Sequence, residues 1–148
     1  MALTNKRKII LRGCPEYNEY GAATEAIKPG YLVKGVSSIA KQTATTGYYQ
    51  PAVAVERSEL GQGIDNTYQG SGTLSASYAT GDTVKVAIPD AGDEILCWVA
   101  SGQNVTEDDL FESAGNGLVV EGSTRPILRA METLGEVFEE TAVRFCVL

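Results

Sequence analysis

The stretch TVKVAIPDAGDEILCWVA, residues 83–100, carries the clearest structural signal in the chain. Thr83 to Ile88 alternates, placing Val84, Val86 and Ile88 on one side of an extended segment. Pro89-Asp90-Ala91-Gly92-Asp93 has turn chemistry: Pro presets φ, Gly accepts positive φ, and Asp bonds its own backbone. Glu94 to Ala100 is apolar on both faces, which is the pattern of a strand covered on both sides. Strand, turn and buried strand in 18 residues point to a β-sheet protein.

The same grammar extends in both directions. Upstream, Pro51 to Arg57 reads as a short strand with Val53 and Val55 on one face. Pro29-Gly30 presets a turn ahead of a strand from Tyr31 to Val36. Lys6 to Arg12 is extended and is broken by Gly13-Cys14-Pro15. Residues 15–25 show no clear period and read as an irregular leader. Residues 37–50 read as a loop or weak strand, and 58–72 as a long Gly-rich loop with one helical turn at Ser58–Leu60. Downstream, Thr106-Glu107-Asp108-Asp109 resembles a capping box and predicts a single helical turn. Gly115-Asn116-Gly117 is a turn before Leu118–Glu121. Ile127 to Thr133 fits a strand with Leu128, Ala130 and Glu132 on one side, or a helical turn. Ala142 to Leu148 is an apolar strand. Seven or eight short strands between Gly-rich turns predict a barrel or sandwich.

Composition sets the functional bounds. The 148 residues suit one domain, or one domain and an arm, divided here as a leader over 1–21 and a β-rich domain over 22–148. Net charge is −7, which makes nucleic acid an unsuitable primary partner, because phosphate binding runs on Lys and Arg. The charge is divided unevenly. Lys6, Arg7, Lys8 and Arg12 give residues 1–12 a charge of +4, while the remainder has 8 basic and 19 acidic residues, −11. The basic leader reads either as a solvated tail or guarded edge strand, or as an arm for an acidic partner surface.

Chemistry for catalysis is sparse. The chain has no His, which removes the usual Ser and Cys nucleophile partners and imidazole metal sites. The acidic clusters Asp90/Asp93/Glu94, Glu107/Asp108/Asp109 and Glu136/Glu139/Glu140 lie in polar turns and read as solvated charge. None has the spacing of an EF-hand. Cys14, Cys97 and Cys146 are odd in number and form no C-x-x-C pair, so reduced thiols in a cytosolic assembly environment are expected. Cys97 and Cys146 sit in apolar runs and read as packing residues. Neither a secretory leader nor an apolar run of membrane-helix length is recognised, so no membrane partner is expected. The expectation is a non-enzymatic protein without a cofactor or metal.

Several segments resemble the capsid decoration (cement, or head-stabilising) proteins of tailed bacteriophages. They are Ala26-Ile27-Lys28-Pro29-Gly30-Tyr31-Leu32-Val33, Gly81-Asp82-Thr83-Val84-Lys85-Val86, Leu110–Val119, and Ile127–Leu134 followed by AVRFCVL. At Leu110-Phe111 the chain departs from that pattern, which has Gly-Asp ahead of the Leu. The resemblance implies a mainly β, compact β-barrel or β-tulip-like domain with one or two short helical turns and an extended N-terminal arm. It implies a homotrimer on the exterior of the virion, made in the host cytoplasm, that binds the major capsid protein and stabilises the expanded head. In that reading Leu3, Asn5, Lys6, Arg7, Lys8, Ile9, Ile10, Leu11 and Arg12 form the capsid-binding arm. Trp98, Leu96 and Tyr31 form a subunit interface, with plain core packing as the alternative for Trp98. Other virion parts (tail-tube, head-completion or fibre-associated) and a carbohydrate-binding β-domain using Tyr17, Tyr48, Tyr49 and Tyr68 remain alternatives.

Overall fold

In a computed structural model that describes residues 9–43, 51–57 and 77–148, all regular structure is β. In chain order the strands are β1 (Ile10–Arg12), β2 (Glu16–Ala23), β3 (Val33–Lys34), β4 (Ser38–Lys41), β5 (Val53–Ala54), β6 (Thr83–Ile88), β7 (Glu94–Val99), β8 (Asn104–Val105), β9 (Leu110–Gly115), β10 (Leu118–Glu121), β11 (Leu128–Ala130), β12 (Gly135–Glu136) and β13 (Thr141–Val147). The mainly β reading therefore stands.

The strands form two principal sheets and one small pair. The first runs β1-β7-β10-β9-β11-β13, and β13 pairs back onto β7. That return is a six-position antiparallel register from Thr141↔Val99 to Cys146↔Glu94. The second runs β3-β4-β2-β6-β5. A bridge between Leu32 and Val53, with Ala54 N–H donating to Tyr31 O, links β5 to the chain beside β3. The small pair β8–β12 hangs beside the first sheet.

Two apolar cores follow from this arrangement. The larger packs Phe111 against Phe145 edge to face, ring centroids 5.0 Å apart, among Ile9, Ile95, Leu96, Cys97, Val119, Leu128 and Val143. The smaller gathers Ile27, Val33, Ile39, Tyr78, Val84 and Val86. Strands β5 and β6 lie between them. Val53 and Ala87 face the larger core, while Ala54, Val84 and Val86 face the smaller. Alternation along an extended chain is what lets one strand serve both.

Sequence and structure differ at two places. The capping-box pattern at Thr106 builds a tight turn, not a helical one. Asp108 sits at φ 74°, and Asp109 N–H donates to Thr106 O. The amides that would start a helix are taken from outside, Glu107 N–H by Thr133 Oγ1 and Asp108 N–H by Ala130 O. The second helical turn, Ser58–Leu60, lies outside the described residues. Residues 15–25, expected to be irregular, contain strand β2 over 16–23, whereas β1 over 10–12 falls in the segment expected to be extended. Periodicity failed to reveal β2 because its register against β6 shifts between Asn18 and Gly21. Such a bulge inserts an extra residue and reverses the in–out alternation midway.

Candidate interaction surface

The residues expected to form an N-terminal arm divide at position 9. Leu3, Asn5, Lys6, Arg7 and Lys8 lie outside the described residues. Ile9 is fully buried in the larger core, and its N–H donates to Glu56 Oε2 at 3.0 Å. Ile10 pairs with Ile95 and Arg12 with Glu94 across β1–β7. Four of the nine arm residues thus belong to the body. The physical cause is the apolar Ile9-Ile10 pair, whose burial outweighs the basic neighbours' preference for water. Leu11 and Arg12 point outward, with Leu11 41% exposed.

Arg12 has a fixed partner. Its Nη1 lies 3.6 Å from Glu94 Oε2, and Arg144 Nη2 lies 3.3 Å from Glu94 Oε1. Glu94 is 9% exposed, so two guanidiniums compensate a carboxylate held largely out of water. The sequence pattern read this carboxylate as solvated turn charge. Only the pairing of β1 and β13 on either side of β7 brings the two arginines to it.

The residues expected at a subunit interface separate as well. Leu96 is 1% exposed in the larger core, so no surface role is open to it, and this corrects the expectation. Trp98 and Tyr31 are half-buried and are brought together by Lys28. The Trp98 indole N–H donates to Pro29 O at 2.7 Å, and Lys28 Nζ sits 4.2 Å from the ring centroid. Lys28 also meets Glu140 at 3.5 Å, and Tyr31 O–H donates to the same carboxylate at 3.2 Å. Burial, then the charge and hydrogen bond of Glu140, push the Tyr31 phenol up to about 12. Gly30 is the hinge of this cluster. Its φ is +97°, and a Cβ there would stand 2.8 Å from the indole. Glu140 reads from sequence only as solvated turn charge and Lys28 only as the residue before the Pro29-Gly30 turn; no local pattern pairs them with Tyr31 and Trp98.

Elsewhere the described surface offers little for chemistry. Among the described residues, no three acidic or cysteine side chains are grouped to hold a metal ion. Asp108, Asp109 and Glu121 line a shallow open cleft with Leu110 and Gly122. Cys14 is exposed and unbonded to sulfur, whereas Cys97 is enclosed and burial drives its thiol pKa strongly upward. Cys146 is half-buried. Among the described residues, the most exposed large apolar side chains are Phe138 and Tyr20, 82% and 69% accessible. No family model matches the chain, and no curated protein matches it.

Proposed function

We propose that this chain is a structural virion protein, a capsid decoration protein that binds the outer surface of a phage head and stabilises the expanded shell. In this reading it is a homotrimer made in the host cytoplasm, its partner is the major capsid protein, and it uses no cofactor, nucleic acid or membrane. One observation carries the reading: the basic Lys6-Arg7-Lys8 run leads directly into a strand anchored at the end of a sheet. Ile9 in the core and the Arg12–Glu94 pair hold the residues that follow this run against the body. A basic run directly ahead of a strand in sequence suits strand addition to a partner edge. The many copies of a capsid multiply a weak single contact.

The test is deletion of residues 2–8. Because Ile9 and β1 stay, the variant should keep its far-UV spectrum and unfolding midpoint. It should fail to cosediment with expanded heads of the phage that encodes it. Undiminished sedimentation with heads would overturn the arm assignment. Electron microscopy of intact particles separates the head surface from a tail-tube, head-completion or fibre location. A carbohydrate-binding reading draws on exposed Tyr17 and Tyr20 of β2, while Tyr48, Tyr49 and Tyr68 lie outside the described residues. A glycan array with hits lost in Tyr20→Ala would favour it.

A further inference from the structure

The loop between β12 and β13 displays an aromatic ring on a fixed frame. Val137 is buried, and its N–H donates to Gln103 O at 2.8 Å. Gly102 N–H donates to Val137 O at 2.7 Å, and Ser101 Oγ donates to Phe138 O at 2.9 Å. Upstream, Leu134 N–H donates to Val105 O. With both sides of the backbone tied, Phe138 stands 82% exposed beside exposed Glu136, Glu139 and Glu140. With the backbone already held, docking has only the side-chain rotamer left to fix. The result is an apolar knob with an acidic collar.

An exposed apolar residue beside a basic one lies at the other end of β7. The knob stands beyond Val99, where β7 meets Thr141. Leu11 and Arg12 lie beside Glu94, where β7 begins. Six strand residues separate the two sites by about 17 Å. Leu11 is 41% exposed, and the Arg12 side chain is 81% exposed despite its contact with Glu94. Lys6, Arg7 and Lys8 precede them, the densest basic run in an acidic chain.

We propose that Phe138 and its acidic collar dock onto Leu11 and Arg12 of a second copy of this chain, forming a head-to-tail self-contact. Two different patches at opposite ends of one ladder make a heterologous interface, which closes into a ring when the rotation permits. The contact goes beyond the capsid-binding role and does not depend on it.

Complementation between variants tests this. The full-length chain should be oligomeric by light scattering. Phe138→Asp destroys the knob and Leu11→Asp the acceptor, so each alone should be monomeric with a wild-type far-UV spectrum. Mixed one to one, they retain one intact knob and one intact acceptor, and should form a 1:1 dimer. In Glu139→Arg, which leaves the Lys28–Glu140–Tyr31 contacts in place, the dissociation constant should rise more than about tenfold. A monomeric wild type overturns the proposal. So does an oligomer that survives Phe138→Asp, or a mixture that stays monomeric. Head binding is measured separately on the 2–8 deletion, which separates the capsid-binding arm from this contact; a monomeric wild type would overturn the homotrimer as well, whereas an oligomer that survives Phe138→Asp overturns this contact alone.

Discussion

Single side chains do their sharpest work around Trp98. Gly30 combines a left-handed backbone with an indole 2.8 Å from where a Cβ would sit. Gly30→Ala should therefore destabilise by about 2 kcal/mol through strain and displacement of the ring. Gly92 is the control, because it has φ +93° with nothing within 4 Å of a Cβ. Gly92→Ala should cost less and leave Trp98 emission unchanged, while Gly30→Ala should shift it. Urea titrations read by fluorescence check both. Tyr31 supplies a pH dependence. Its folded pKa, about 12, lies above the ordinary 10.0, so the neutral phenol is the form the fold favours. That contribution is complete below pH 10 and is lost as pH rises from 10 toward 12. Tyr31→Phe should flatten the fall of stability over that interval and remove one late-ionising phenol from an absorbance titration.

Among the elements, β1 shows how a short strand joins a body. It has three residues and a register shift against β7, so its hydrogen bonds alone hold it weakly. Ile9, just ahead of it, is completely buried and supplies the anchor. Ile9→Ala should cost about 3 kcal/mol, the usual range for emptying a closed apolar site. Deleting residues 2–8 should cost almost nothing. Thermal unfolding of the two variants side by side locates the boundary between attached strand and preceding segment. A midpoint shift of equal size in both would move that boundary toward the N-terminus. The basic leader was legible as a distinct segment from charge alone. That Ile9 and β1 join the body was not, because this depends on Glu56 and β7, 47 and about 85 residues away in sequence.

For the whole molecule, the sharing of β5 and β6 between two cores predicts one cooperative transition. Tyr78 lies in the smaller core, and its hydroxyl donates to Val55 O, whose side chain belongs to the larger. Tyr78→Phe should leave that carbonyl one partner short and destabilise by about 1 kcal/mol. Trp98 emission, read at the edge of the larger core, should shift its urea midpoint together with far-UV circular dichroism. Separate midpoints would show two independently melting halves. By itself the sequence determined the strands whose neighbours matter least: β6, β7, β11 and β13 are legible from alternation or continuous apolarity, and the turns at Pro29-Gly30 and Gly115-Asn116-Gly117 from φ preferences. These are local properties of a chain of L-residues. The tertiary structure alone decided the rest. It made β2 a strand despite a bulge, turned a helix-start pattern into a tight turn by capturing its amides, and moved Leu96 from expected interface to core. It also set Glu94 between two arginines and Phe138 out in solvent. Burial and charge pairing are sums over neighbours distant in sequence, and no local pattern encodes which neighbours those will be.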